Sequence, residues 1–145
     1  MLGVILTGHG SFATGLYEAA VQIMGEQAQF TAVNFPDGMS SEQLEHQLND
    51  ALTVCDKGDG VVFLTDILGG SPFRFAAMLS YQYPHIEVIS GTNMPLLLEM
   101  LMQRDAIDSA SFRLLAINNG KQGVTSLWHE NQKSPATNKE CQDGI

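Results

Sequence analysis

The chain has 145 residues, 44% of them hydrophobic, which suits a single folded domain and argues against wholesale disorder. Its 16 acidic and 7 basic side chains give a net charge of −9, which argues against a nucleic-acid partner because phosphates require a basic surface. No run of about 18 apolar residues occurs, so the sequence predicts no membrane span, and its N-terminus lacks the features of a signal peptide.

Strand and helix signals alternate in the first part of the chain. Gly3 to Thr7 is typical of a buried strand, and apolar residues then recur at helical spacing until Gly25. Phe30 to Phe35 predicts a second strand, which ends at a Pro-Asp-Gly turn signal. Ser40 or Ser41 is expected to cap the next helix. The predicted inner face of that helix consists of Leu44, Leu48, Ala51, Leu52 and Cys55.

The third strand and its following loop carry the next signals. Val61 to Thr65 is almost continuously apolar, as expected for a strand that is covered on both faces. Asp66 follows it directly. A helix is then predicted from Pro72, at its first position, to about Tyr83, with Ser71 as its cap.

The signals weaken toward the C-terminus. Ile86 to Ser90 predicts a fourth strand, which a helix follows. Phe112 to Ile117 fits either a helix or a strand by pattern alone, and Val124 to Trp128 predicts a short edge strand. The last segment is polar and has no apolar period. We therefore expect a domain over residues 1–130 and a loose polar tail over residues 131–145.

The alternation predicts an α/β fold, a three-layer sandwich around a mainly parallel sheet of order 2-1-3-4. In that order the loops after strands one and three lie side by side. His9, in a glycine-flanked turn, and Asp66 would then meet. A carboxylate at one ring nitrogen fixes the tautomer, leaves a lone pair on the other nitrogen and stabilises the cationic ring formed on attack. We therefore predict His9 and Asp66 as the catalytic pair.

The segment Gly69, Gly70 and Ser71 predicts a phosphate-binding site beside this pair. It opens a helix, where free N–H groups and the positive end of the helix dipole favour an anion. A nucleophilic imidazole, an orienting carboxylate and a phosphate cradle together predict phosphoryl transfer onto histidine. The remaining histidines have no partner at metal-ligand spacing, so no metal or other cofactor is predicted. Cys55 and Cys141 are expected to be reduced cytoplasmic thiols.

Other interpretations of these residues stay open. A histidine at a strand end also occurs as a purely structural residue. Gly8 to Ala13 fits the G-x-G-x-x-A pattern of a dinucleotide-binding turn, which would make the chain a small nucleotide-binding module. The acidic residue expected at the end of strand two is absent, since Asn34 and Phe35 stand there. A regulatory scaffold without turnover is a third hypothesis.

Three segments resemble the IIA components of the mannose-type bacterial sugar phosphotransferase system (PTS), a likeness that covers roughly residues 1–130. They are Gly8-His9-Gly10, Asp66-Ile67-Leu68-Gly69-Gly70-Ser71-Pro72-Phe73 and Gly91-Thr92-Asn93-Met94-Pro95. Many members of that family have Ser or Thr directly before the active histidine, where this chain has Gly8. Any contact that the hydroxyl group of this Ser or Thr makes in those members would then have to come from Thr7 or Ser11 in this chain.

The resemblance implies a reaction and a set of partners. His9 would accept a phosphoryl group from the phosphocarrier protein HPr and pass it to a separate IIB component, which phosphorylates a sugar taken up through membrane-embedded IIC and IID. Asp66 would pair with the ring nitrogen that is not phosphorylated. The overall likeness favours an amino sugar such as N-acetylgalactosamine. The phosphotransfer subunit of a dihydroxyacetone kinase has a similar fold and remains an alternative.

The resemblance also implies an assembly. Similar proteins are homodimers that exchange a C-terminal edge strand, here an antiparallel strand near Val124 to Trp128. For the ambiguous segment before it, the resemblance favours a helix from Ser111 to Asn119.

Overall fold

The computed structural model describes residues 1–133, in which four strands form one parallel sheet. The strands are β1 (Gly3–His9), β2 (Phe30–Phe35), β3 (Val61–Thr65) and β4 (Ile86–Ile89). The helices are α1 (Phe12–Met24), α2 (Ser41–Cys55), α3 (Ser71–Gln82), α4 (Met94–Gln103), α5 (Ser109–Gln122) and α6 (Leu127–Asn131). The strand order is β2-β1-β3-β4, which confirms the predicted α/β fold and its order.

Each face of the sheet buries its own hydrophobic cluster, because successive side chains of a strand point to opposite sides. One cluster joins even-numbered residues of β1, β2 and β3, with Ile89 of β4, to α1, α4 and α5, and it includes Val4, Leu6, Val62, Leu64, Leu97, Met100 and Phe112. The other joins odd-numbered residues of β1, β2 and β3 to α2 and α3, and it includes Ile5, Val61, Phe63, Ala76 and Leu79, with Ile86 and Val88 of β4 packed against it. The predicted inner face of α2 lies wholly in this second cluster. Helices therefore cover both faces, which accounts for the continuous apolar run of β3.

The starts of α2 and α3 are set by different residues. Ser40 caps α2 in a capping box, since its hydroxyl accepts from the Gln43 amide while the Gln43 side chain accepts from the Ser40 amide. The predicted cap of α3 is wrong, because Gly70 is the N-cap and Ser71 is already the first helical residue. This shift by one residue places Pro72 in the second helical position, where its missing N–H costs nothing.

The segment that the sequence left ambiguous is the helix α5. The Asp108 carboxylate accepts a hydrogen bond of 2.8 Å from the Ser111 amide and caps its first turn. Within residues 1–133, no helix has both the length and the hydropathy needed to cross a bilayer.

The predicted C-terminal antiparallel edge strand is absent from the part of the chain that the structure describes. Positions 124–126 do not join the sheet, and α6 begins at Leu127, inside the predicted strand. The physical reason is a local helix cap, because the Ser126 hydroxyl accepts from the His129 amide at 3.2 Å. Of the predicted tail, residues 134–145 lie outside the described range.

Candidate active site

His9 and Asp66 emerge together at the carboxyl edge of the sheet. Strands β1 and β3 pair in parallel with Thr7 opposite Thr65. His9 ends β1 and Asp66 directly follows β3, so the register brings the two residues to adjacent positions. The imidazole Nδ1 lies 2.7 Å from the Asp66 Oδ2, which confirms the juxtaposition that the topology predicted.

The Asp66 carboxylate is held by three hydrogen bonds. Its Oδ2 accepts from the His9 ring and also from the His9 backbone amide, at 2.8 Å. Its Oδ1 accepts from the Ile67 amide at 2.8 Å. Partial burial of Asp66 favours its neutral form, but the bonds from the His9 amide, the His9 ring and the Ile67 amide outweigh it and lower the pKa of the carboxyl group. An ionised carboxylate only accepts hydrogen bonds, so Nδ1 carries the ring proton and Nε2 of the neutral ring keeps a lone pair.

The start of α3 lies against the free edge of the imidazole. The His9 side chain is 46% exposed, so its ring is open to solvent and to another molecule. A Cβ atom built on Gly70 would lie 2.8 Å from the His9 Cε1 and 3.5 Å from Nε2. Only glycine therefore leaves the ring in this position, and the backbone at the helix start borders the nitrogen that carries the lone pair.

The predicted phosphate-binding residues occupy this helix start. Gly69 has a φ of +80°, a left-handed conformation that suits glycine, and Gly70 follows as the N-cap. No side chain caps α3. The backbone amides of its first turn, beginning at Ser71, therefore have no side-chain acceptor and are available to an anion.

The loop after β4 is hydrogen-bonded to the backbone at Asp66. The Gly91 amide donates to the Asp66 carbonyl at 2.9 Å, and the Thr92 amide donates to the Thr65 carbonyl at 3.1 Å. Asn93 then caps α4 through a hydrogen bond from the Leu96 amide. The conformation of the loop that begins at Asp66 thus depends on the loop after β4 as well as on its own residues.

Phe35 borders the site and also packs against the second hydrophobic cluster. Its ring meets the His9 imidazole edge to face, with centroids 5.7 Å apart. The Phe35 carbonyl also accepts from the Gly10 amide at 2.8 Å. The predicted strand order already implies that Phe35 lies near His9, because parallel pairing of β1 and β2 sets the two residues opposite each other. Since the Gly10 amide is already bonded, it offers no free donor to a dinucleotide pyrophosphate, which speaks against the G-x-G-x-x-A interpretation.

The glycine before the histidine is required by packing. A Cβ on Gly8 would clash with the Phe12 ring and lie 3.0 Å from the Asp66 Cγ. Of the two alternative hydroxyls, Thr7 is fully buried and its Oγ1 has no hydrogen-bond partner within the described residues, whereas Ser11 is exposed two residues beyond His9. Only Ser11 is therefore at the surface of the site.

Two of the other histidines are engaged elsewhere. His46 lies 3.4 Å from Asp50 one turn along α2, and His129 contacts Ser126 at the start of α6. Among residues 1–133, no three His, Cys, Asp or Glu side chains are grouped so that they could hold a metal ion.

The architecture and the paired residues define a class of protein, the IIA components of sugar phosphotransferase systems. A solved structure of the component EIIA from Streptococcus agalactiae superposes with a TM-score of 0.82 at 28% identity, covering 89% of this chain and 99% of that one. The family model described as the PTS system fructose IIA component matches residues 3–114. The chain belongs to this family.

Relatives of known sequence support the same assignment. YadI of Escherichia coli K12, whose name describes a phosphotransferase enzyme IIA component, is 42% identical over 135 residues, which are 93% of this chain and 92% of YadI. The mannose-specific EIIAB component of the same organism is 37% identical over 129 residues, which are 87% of this chain but 39% of that longer protein. The similarity to EIIAB therefore spans only part of it.

Proposed function

We propose that residues 1–130 form a cytoplasmic phosphohistidine carrier domain, in which His9 accepts a phosphoryl group from HPr and passes it to a IIB component. The observation that carries this proposal is the hydrogen bond between the His9 Nδ1 and Asp66, which leaves Nε2 free beside Gly70. Gly69, Gly70 and Ser71 are proposed to bind the phosphoryl oxygens at the start of α3.

The proposed step is a direct displacement at phosphorus. The lone pair of the His9 Nε2 attacks the phosphoryl group carried by a histidine of HPr, and a new N–P bond forms. The N–P bond to the donor breaks, and its electron pair returns to the donor's ring nitrogen. The His9 ring becomes cationic as the bond forms, and the Asp66 carboxylate stabilises that charge through Nδ1–H.

Transfer onward would repeat this displacement with a IIB component as the acceptor. The chain itself has to hold the ring at a fixed angle and to neutralise part of the phosphoryl charge, because phosphoryl transfer depends mainly on positioning and electrostatic stabilisation. The three bonds to Asp66 serve the first requirement, and the uncapped first turn of α3 serves the second.

The decisive test uses phosphoenolpyruvate labelled with ³²P, enzyme I and HPr as the donor chain. The wild-type protein should acquire an acid-labile, base-stable label, and His9→Gln should acquire none. His46→Gln and His129→Gln are the matched controls, because both residues are exposed and their side chains pair with other residues, His46 with Asp50 and His129 with Ser126; they should label like the wild type. A label that persists in His9→Gln would overturn the site assignment.

We also propose a homodimer, on the strength of an exposed apolar region near the C-terminus of the described chain. Large hydrophobic side chains on α5 and around α6 are exposed there, namely Leu114, Ile117, Val124, Leu127 and Trp128. Monomeric proteins rarely expose such clusters. Sedimentation equilibrium should give twice the chain mass, and Trp128→Lys should shift the equilibrium toward the monomer. A wild-type protein that stays monomeric at high concentration would refute the dimer.

The proposed sugar is an amino sugar such as N-acetylgalactosamine, taken up through IIC and IID components in the membrane. This choice rests on overall resemblance alone, and the names of the matching proteins differ, with mannose in one and fructose in another. Assays with the IIB, IIC and IID proteins of the same genome should show which sugar becomes phosphorylated. Preferential phosphorylation of mannose or fructose would reject the amino sugar and leave the carrier role intact.

A further inference from the structure

A cationic side chain lies one helical turn beyond the start of α3. Arg74 is the fourth residue of that helix, and its amide donates to the Gly70 carbonyl at 2.9 Å. Residues four apart occupy the same face of a helix, one above the other, so Arg74 lies on the face of α3 that Gly70 begins. A Cβ on Gly70 would lie 3.5 Å from the His9 Nε2, which places the start of this face beside the nitrogen with the lone pair.

The direction and length of the Arg74 side chain suit a contact at this nitrogen. Side chains of a helix lean toward its N-terminus, which for α3 is the end that borders His9. An α-helix rises about 1.5 Å per residue, so Arg74 starts about 6 Å further along the axis than Gly70. A guanidinium on its flexible methylene stem spans that distance.

The position of this positive charge is unfavourable for the helix itself. The N-terminal end of a helix carries a partial positive charge, which repels a cation placed near it. The sequence of α3 contains no Asp or Glu that could compensate Arg74 along the helix. Among residues 1–133, the exposed Arg74 side chain has neither an ion-pair partner nor a hydrogen-bond partner. Its guanidinium is therefore available to an anion.

The loops around the site supply no other full positive charge. Four loops form the carboxyl edge of the sheet, at positions 10–11, 36–40, 66–70 and 90–93, and they contain no Lys or Arg. A phosphoryl group carries about two negative charges at neutral pH, and the ionised Asp66 lies on the other side of the ring. Backbone amides at a helix start offer only partial charges, so a cation from α3 would complement them.

We propose that the Arg74 guanidinium binds the phosphoryl group on His9 and so stabilises the phosphorylated protein. The inference rests on the proposed function, and it adds a charged side chain to the backbone site of Gly69, Gly70 and Ser71. A planar guanidinium donates two parallel hydrogen bonds to two phosphoryl oxygens. Arg74 thereby favours the doubly charged phosphoryl group and draws the phosphoryl equilibrium from HPr toward His9.

The first measurement is the equilibrium constant for phosphoryl exchange between HPr and the protein. Arg74→Gln should shift it toward phosphorylated HPr by about fivefold, the upper end of what an exposed ion pair contributes. Arg74→Lys should give a smaller shift, because lysine keeps the charge but loses the planar fork. The urea midpoint of Arg74→Gln should be no lower than that of the wild type, since α3 loses an unfavourable charge. Impaired folding then cannot account for the shift.

The second measurement is a ³¹P NMR titration of the phosphorylated protein after its separation from HPr. A nearby guanidinium favours the doubly charged phosphoryl group, so the titration midpoint should lie at higher pH in Arg74→Gln than in the wild type. A contact between Arg74 and a partner protein cannot move this midpoint, because no partner is present. A shifted exchange constant with a wild-type midpoint would therefore assign Arg74 to a partner and overturn the proposal.

Lys57→Gln is the matched control. Lys57 is exposed in the loop between α2 and β3, at the amino edge of the sheet, so its substitution removes the same charge far from His9. The exchange constant and the NMR midpoint should both keep their wild-type values. A wild-type midpoint in Arg74→Gln, or equal shifts in Arg74→Gln and Lys57→Gln, would contradict the role of Arg74. Failure of the wild-type protein to label at His9 with phosphorylated HPr would instead reject the proposed function.

Discussion

Asp66 binds His9 twice through a single oxygen atom. Its Oδ2 accepts from the ring Nδ1 at 2.7 Å and from the His9 backbone amide at 2.8 Å. The backbone bond fixes the carboxylate relative to the end of β1, and the ring bond then fixes the imidazole relative to the carboxylate. The orientation of the ring is therefore built into the fold.

Asp66→Asn should slow phosphorylation of His9 on the order of 10²-fold while the protein stays folded. An asparagine oxygen can accept from His9 only if its NH₂ group faces the Ile67 amide, where two donors would oppose each other. In the flipped orientation the NH₂ group faces Nδ1, which favours the tautomer with its proton on Nε2 and removes the nucleophile. Stopped-flow measurement of kcat with saturating phosphorylated HPr checks this.

Asp37→Asn is the control for this substitution. Asp37 is an exposed carboxylate in the loop between β2 and α2, so its loss removes the same charge from the same edge of the sheet. The kcat of Asp37→Asn should remain within about twofold of the wild-type value, since the Asp37 side chain contacts no reacting group. Equal losses in the two variants would mean that charge alone, and not the bond to His9, supports transfer.

The lowered pKa of Asp66 predicts how stability depends on acid. A carboxyl group whose pKa is lower in the folded state stabilises the fold above the unfolded-state pKa, and this contribution disappears as the pH falls through the folded-state pKa. The difference in unfolding free energy between the wild type and Asp66→Asn should therefore be constant near neutral pH and shrink below about pH 4. An NMR titration of the Asp66 carboxyl carbon should give a midpoint below 3.8.

The sequence was sufficient to predict the pairing of His9 with Asp66. Both residues follow apolar runs whose ends are sharp, and the alternation of strands with helices restricts the sheet to few orders. Once β1 and β3 are neighbours, the residues that end them must meet. The spacing of His9 and Asp66 along the chain is irrelevant to this argument, which depends only on topology.

Details that depend on side-chain packing or on local competition were not predictable in the same way. The segment from Val124 to Trp128 has the composition of a strand, but the Ser126 hydroxyl caps a helix there. Likewise the strand order places Phe35 beside His9, but the edge-to-face contact of the two rings depends on side-chain rotamers that a periodic pattern does not encode. Sequence patterns indicate where helices and strands lie. They say less about which of several competing helix caps or side-chain contacts forms.

Gly70→Ala tests the close approach of α3 to the imidazole. The φ of Gly70 is −69°, which alanine adopts without strain, so the substitution acts only through its methyl group. That group would meet the His9 Cε1 at 2.8 Å and displace the ring or the bound phosphoryl group. We expect phosphorylation to slow at least tenfold, with a loss of stability of about 1 kcal/mol, because alanine is a poorer N-cap than glycine.

Gly15→Ala is the matched control for Gly70→Ala. Gly15 lies within α1, and a Cβ there would meet nothing within 4 Å. Alanine should raise the unfolding free energy by about 0.5–1 kcal/mol because it favours the helix. His9 should label at the wild-type rate. If Gly70→Ala also labels normally, the helix start does not limit the space around Nε2.

The buried guanidinium of Arg104 binds backbone carbonyls at the amino edge of the sheet, opposite the candidate active site. Arg104 is 2% exposed, and its Nη1 donates to the Leu2 carbonyl at 3.3 Å and to the Gln29 carbonyl at 3.0 Å, while Nη2 donates to the Ala28 carbonyl. These carbonyls lie just before β1 and β2. Burial lowers the pKa of Arg104, but three acceptors retain its charged form in place.

Arg104→Met should therefore cost about 1–3 kcal/mol of unfolding free energy, since it removes a donor from the Leu2, Ala28 and Gln29 carbonyls, of which the Gln29 carbonyl keeps the bond from the Val4 amide. Arg113→Met is the control, because the Arg113 side chain is 47% exposed and its pair with Glu87 is worth less than about 1 kcal/mol. Urea denaturation measures both. Similar small losses of unfolding free energy in the two variants would show that water molecules take over the hydrogen bonds of the Arg104 guanidinium. The rate of His9 labelling should not change in folded Arg104→Met, because Arg104 contacts the amino edge of the sheet whereas His9 lies at the carboxyl edge.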